Sequence, residues 1–206
     1  ELITHCDAVQ GFLKVPFQVR SLQADLLSIS GHKVHGVKGV GALYQKNGIH
    51  LHPTFHGGSQ ERGLRPGTEN VPAIAAFGAA VQTYGSTVRE RYQAVTEKKA
   101  YLLERLQELP NCKIHSVEDA SPYIISFSLR PYRSEILLHF LEKREIFVSS
   151  GSACSKGKNS GVPVLFGATD AEADSILRVS LSAETPNTAL DALVSSLQEA
   201  TKTLLY

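Results

Sequence analysis

The sequence predicts an α/β chain in two parts: the end of a larger α/β domain over residues 1–85, then a smaller α+β domain over residues 86–206. Three observations carry this. Up to residue 85, short apolar runs alternate with glycine-studded turns. One long amphipathic stretch with its own start and stop signals follows. Beyond it the pattern changes to strand, helix, strand.

In chain order, residues 25–30 (Asp-Leu-Leu-Ser-Ile-Ser) read as a short buried strand and 41–44 (Gly-Ala-Leu-Tyr) as a second. The Ala-rich segment 71–81 predicts a helix, with Pro72 tolerated in its first turn. Thr87-Val-Arg-Glu90 has the spacing of a capping box. Tyr92, Val95, Leu102, Leu106 and Leu109 then recur at helical spacing, and Pro110-Asn111 ends the run. Further on, 123–129 predicts a strand, 134–143 an amphipathic helix, and 146–149 and 177–181 two more strands. A closing helix starts near Asn187 and carries Leu190, Leu193, Val194, Leu197 and Leu204. Residues 150–169 read as an irregular loop, of a length that compact domains mostly keep for function.

Composition excludes several classes. Lys and Arg number 21 against 20 Asp and Glu, interspersed along the chain, so a basic nucleic-acid face has no support. No stretch approaches the roughly 20 apolar residues of a membrane span, and no signal peptide is visible at the start. Cys6, Cys112 and Cys154 are odd in number and widely spaced. That argues against disulfides or a zinc site and for a reducing, cytoplasmic setting. His50, His52 and His56 lack a Cys or carboxylate at ligand spacing, so no metal site is expected.

The most informative stretch is Ser28-Ile-Ser-Gly-His-Lys-Val-His-Gly-Val-Lys-Gly-Val-Gly-Ala-Leu-Tyr44. Lys33 directly follows a buried strand, beside Ser30 and His32, and partial desolvation there would make its amine nucleophilic. On spacing alone, a surface lysine in a Gly-rich turn is the better reading. Cys154 sits among Ser149, Ser150, Ser152 and Ser155 rather than in an apolar run, the context of a reactive thiol rather than a packed one. Cys6 and Cys112 read as structural.

Ser-Gly-His-Lys followed by Gly-x-Lys-Gly-x-Gly-Ala-Leu-Tyr closely resembles the cofactor-lysine segment of class V aminotransferase-fold enzymes, and of NifS/IscS-type cysteine desulfurases in particular. Three further blocks agree in order and spacing: His5-Cys-Asp-Ala-Val-Gln10, His56 to Asn70 (His-Gly-Gly-Ser-Gln-Glu-Arg-Gly-Leu-Arg-Pro-Gly-Thr-Glu-Asn), and Ser149-Ser-Gly-Ser-Ala-Cys-Ser155. The resemblance implies the C-terminal portion of a fold type I enzyme dependent on pyridoxal 5'-phosphate, with residues 1–85 in its cofactor-binding large domain and 86–206 as its small domain. It implies that Lys33 holds the cofactor, Asp7 pairs with the pyridine nitrogen and Gln10 bonds the ring 3-oxygen. Ser30 and His32 would bind the phosphate, and Thr68 the phosphate of the other subunit in a homodimer. Arg178 would clamp the carboxylate of L-cysteine, and Cys154 would accept its sulfur as a persulfide for an acceptor protein such as an iron–sulfur scaffold or a thiolation enzyme.

Three features depart from the family. The segment that follows Cys154, Ser155-Lys-Gly-Lys-Asn-Ser-Gly161, is not a close match. Val37 stands where Pro is usual, and the family's N-terminal half, with its ring-stacking histidine and much of the phosphate cradle, is absent, so this portion alone is expected to be inactive. Another class V enzyme (a selenocysteine lyase or an aminotransferase) and a non-catalytic half-enzyme module remain as alternatives.

Overall fold

The computed structural model describes residues 2–150 and 162–204. The chain forms two compact units, Glu1–Glu90 and Arg91–Tyr206.

The first unit is built on a three-stranded sheet of β1 (His5–Asp7), β2 (Leu26–Ser30) and β3 (Gly41–Gln45), in that order. β1 and β2 run parallel, with His5 opposite Leu26 and Asp7 opposite Ser28. Parallel strands need a crossover, and residues 8–25 supply it, including the short helix α1 (Val19–Leu22). β2 and β3 are antiparallel, Ser30 opposite Gly41, and a 3₁₀ turn at Gly31–Lys33 opens their connection. Gly41 is required here, since a Cβ would lie 2.5 Å from the Ile29 carbonyl oxygen.

Helix α2 (Val71–Gly85) runs four residues past the expected end. The Asn70 side chain caps it by accepting the Ala73 N–H at 3.3 Å. Ala73, Phe77 and Ala80, spaced four and three apart, are its buried stripe.

The second unit holds a four-stranded antiparallel sheet of β4 (Cys112–Ile114), β5 (Ile124–Leu129), β6 (Ser149–Ser150) and β7 (Ile176–Ser180), in the order β4-β5-β7-β6. Helix α3 (Val88–Gln107) leads into it and buries Val95, Lys99, Leu102 and Leu106. Lys99 keeps its place in that row by donating to the Ala120 carbonyl at 2.9 Å. With α4 (Ser134–Glu142) and α7 (Asn187–Thr203), α3 packs Leu102, Leu106, Leu137, Leu141 and Leu197 against Ile125, Phe127, Leu129, Leu177 and Val179. Alternate residues of β5 and β7 thus face the core, as the two-residue period of a strand dictates.

Three expectations are corrected. The Thr87 hydroxyl donates to the Tyr84 carbonyl at the end of α2; the capping box lies instead at Thr169 and Glu172, opening α6 (Asp170–Asp174). Residues 146–148 are not a strand, because the Ile146 N–H is spent on the Leu141 carbonyl after left-handed Glu145 (φ 59°), and strand pairing begins at Ser149. The expected loop at 150–169 includes α5 (Val162–Leu165). Among the described residues, no helix is long and apolar enough to cross a membrane.

Candidate active site

Parallel pairing brings the C-terminal ends of β1 and β2 to one edge of the sheet, the edge at which open α/β sheets bind ligands. β1 ends at Asp7, and β2 ends at Ser30 and runs directly into the 3₁₀ turn bearing His32 and Lys33. The His5 Nε2 and Ser28 Oγ, 2.8 Å apart, pin the two strands together just below it. Asp7 Oδ1 accepts the Val9 N–H at 2.9 Å, an Asx-type turn that bends the chain away from the sheet. The Gly11 and Phe12 N–H groups then donate to the Ala8 carbonyl, and the Lys14 and Val15 N–H groups to that of Gly11. These stacked turns set Gln10 and Lys14 together, with Lys14 Nζ donating to Gln10 Oε1 at 3.3 Å.

The Lys33 turn is equally constrained. The Val34 and Gly36 N–H groups both donate to the Gly31 carbonyl, at 3.0 and 2.9 Å, while the Gly31 N–H donates to the Val40 carbonyl. A Cβ on Gly36 would approach the Gly31 oxygen to 2.9 Å, and one on Gly31 would meet Val40 Cγ1 at 3.0 Å and the Phe77 ring at 3.3 Å. Phe77 also takes the Phe12 ring edge-on, centroids 6.2 Å apart. One α2 side chain therefore steadies both the Gln10–Lys14 turns and the Lys33 turn. A second α2 ring, Tyr84, lies 4.6 Å from that of His35, which is held at φ 64°.

Ser30 Oγ and His32 Nδ1 are 2.7 Å apart, so these two candidate phosphate ligands stand side by side. Lys33 is half-buried and His32 exposed. Burial, and then the charge of Lys33, hold the Lys14 ammonium below the usual lysine range. A carboxylate, a carboxamide, a hydroxyl, an imidazole and two amines thus share one sheet edge. Such a donor set suits a ligand with an aldehyde for an amine, an anion for the hydroxyl and imidazole, and a basic ring nitrogen for the carboxylate.

The remaining candidates lie elsewhere. Thr68 is exposed in the loop before α2, just after Gly67 (φ 113°), whose N–H donates to Gln60 Oε1 at 3.2 Å. It does not cap α2, because Asn70 does. Among the described residues, no hydrogen bond joins Thr68 to the Lys33 cluster. In the second unit, Arg178 pairs across the sheet with Ser126 on one side and Ser149 on the other. It therefore stands on the face opposite Leu177 and Val179 and their core. Cys154 lies outside the described residues. Lys14 went unnoticed in the sequence, and its only signal there is the four-residue spacing from Gln10.

A lysine-bearing α/β unit of this kind, followed by a small antiparallel α+β unit, has the fold of pyridoxal-phosphate-dependent transferases of the NifS-like type. The chain belongs to the aminotransferase class-V family, whose model it matches over residues 1–193. It is 35% identical over 204 residues to the cysteine desulfurase IscS of Clostridium botulinum, covering 96% of this chain and 51% of that protein. Among solved structures, it is similar to a NifS-like protein from Rickettsia africae, with a TM-score of 0.88, 31% identity, and coverage of 98% of this chain and 54% of that one. SspA in complex with cysteine is also similar, with a TM-score of 0.70, 31% identity, and coverage of 90% and 52%. The chain spans about half the length of the relatives it matches.

Proposed function

We propose that this chain carries the cofactor lysine and the sulfur-accepting cysteine of a cysteine desulfurase, which converts L-cysteine to L-alanine. The observation that carries the proposal is the shared sheet edge, with Lys33 on its tight turn beside Asp7, Gln10, Ser30 and His32. When bound there, pyridoxal 5'-phosphate supplies an electron sink for negative charge at the substrate Cα.

Lys33 would hold the cofactor through its amine, at the aldehyde carbon, and would move a proton at the substrate Cα. Asp7 has one oxygen committed to the Val9 N–H; the other would accept from the ring N–H and keep that proton in place. Gln10 would donate to the ring 3-oxygen, and Ser30 and His32 would bind the phosphate. Thr68 serves the phosphate of the other subunit in a homodimer. Arg178 binds the substrate carboxylate through its planar fork of donors. The Cys154 thiolate attacks the substrate sulfur. An S–S bond forms as the Cβ–S bond breaks, and its electron pair stays on Cβ and takes up a proton. Alanine and a Cys154 persulfide result, the latter for a protein acceptor such as an iron–sulfur scaffold or a thiolation enzyme. The odd, widely spaced cysteines support a reducing, cytoplasmic setting.

The test is the visible absorption spectrum of the natural gene product that contains this chain, before and after adding L-cysteine, alongside Lys33→Ala. The proposal expects a yellow band that shifts with cysteine and is absent in the variant. A protein that stays colourless after incubation with pyridoxal phosphate would overturn it in favour of a non-catalytic module.

A further inference from the structure

We propose that Lys14 is a positioning residue of this site: its ammonium, by donating to Oε1 of Gln10, fixes which end of the carboxamide is presented to the ring oxygen of the cofactor. The inference rests on the function proposed above and adds to it a group that the motifs do not contain.

A glutamine carboxamide is ambiguous. Its NH₂ end donates and its oxygen accepts, and a flip of the group exchanges them. Only the NH₂ end stabilises an anionic ring oxygen; the carbonyl end would favour the protonated one. An ammonium has three donors and no acceptor, so at 3.3 Å Lys14 Nζ can engage only Oε1 of Gln10. With Oε1 committed, NH₂ is the end left for the ligand.

The arrangement is stiff enough to act this way. Gln10 and Lys14 lie on consecutive backbone turns closed on Ala8 and Gly11, with Leu13 between them in the left-handed region (φ 54°). Phe12, on the same turns, is anchored edge-on against Phe77. Lys14 is itself half-buried, so its stem is not free to swing into solvent. Its charge acts in the same sense. It is close enough to Lys33 for the two amines to feel each other, and a neighbouring cation favours both a neutral Lys33 amine and an anionic ring oxygen.

The experiment compares the pH titration of the visible cofactor band in the wild-type gene product with that of Lys14→Met, which keeps the apolar stem, and of Lys14→Arg. Lys14→Gln replaces Lys14→Met should the latter not fold. Loss of the cation is expected to raise the midpoint by about one pH unit and weaken cofactor binding in an absorbance titration, while Lys14→Arg restores most of both. In a Gln10→Ala background, Lys14→Met should move the midpoint less than it does alone, because the two residues act as a pair. A wild-type band whose midpoint Lys14→Met leaves unchanged would overturn the role of Lys14 and leave the proposed function standing. The same shift with and without Gln10 would overturn the action through the carboxamide. A wild type with no band at all would overturn both.

Discussion

Lys14 and Lys33 share one sheet edge, yet the backbone holds them for different tasks. Lys33 sits on a turn where a Cβ on Gly36 would press to 2.9 Å from the Gly31 carbonyl oxygen, at the end of a strand that is half-buried except at its buried Leu27, where a small ligand can approach. Lys14 turns its amine to Gln10. Burial pushes the Cys112 thiol up to about 11, so near neutral pH it is almost wholly protonated, and the thiol is a poor nucleophile. Iodoacetamide at pH 8 should therefore leave Cys112 unmodified in the folded protein, as read by peptide mass spectrometry, and label it rapidly after denaturation. Labelling in the folded state at the rate of a small free thiol would contradict the half-buried setting of Cys112. At this scale the sequence was most legible where the chemistry is contiguous, as in the run from Ser30 to Lys33. It was least legible where two residues meet only through a turn, as Gln10 and Lys14 do.

Two segments carry the same capping signature, Thr87-x-x-Glu90 and Thr169-x-x-Glu172, and only the second acts as one. Thr169 has the extended backbone that a cap requires, whereas Thr87 follows so closely on α2 that its hydroxyl is drawn to the Tyr84 carbonyl. Glu172 then does double duty: Oε1 accepts from Lys113 at 2.7 Å and Oε2 from the Thr169 N–H at 2.9 Å. These contacts, the Lys113 bond foremost, lower its pKa from 4.5 to about 2. A carboxyl depressed in the folded state contributes stability that is fully present above its unfolded pKa and lost as pH falls toward the folded one. Glu172→Gln should accordingly lower the melting temperature at pH 7, and the gap to wild type should narrow between pH 4.5 and 2. A gap that stays constant across that range would show that the carboxylate charge is not what ties α6 to β4. The short elements were missed for a related reason. β4 has three residues and α5 four, too few for any periodicity to register.

At the scale of the whole molecule, the chain has two units, and the core that can be followed through strands and helices together belongs to the second. Leu106 of α3 is fully buried there, among Phe127, Leu137 and Leu197. Leu106→Ala should cost about 2–5 kcal/mol, the range for emptying a leucine site in a packed core. Urea unfolding should show this as an earlier transition, with the Lys33 turn of the first unit unaffected until its own transition. The division matters to the reading of such a curve, because two units need not unfold in one step. It also sets where the proposed roles fall, with Lys33, Asp7, Gln10, Ser30 and His32 in the first unit and Arg178 in the second.

The sequence by itself determined the family-like motifs, the two-part α/β and α+β character, the long helix and the apolar faces of β5 and α7. Each of these depends on residues close together along the chain, where spacing alone carries the pattern. Tertiary structure alone decided that β1 pairs parallel to β2 and so delivers Asp7 to the edge of Lys33, that Arg178 stands away from the core, and that Lys14 reaches Gln10. Those outcomes depend on strand register and on how turns stack. A shift of one residue in pairing would turn every side chain of a strand to its other face without changing a letter of the sequence.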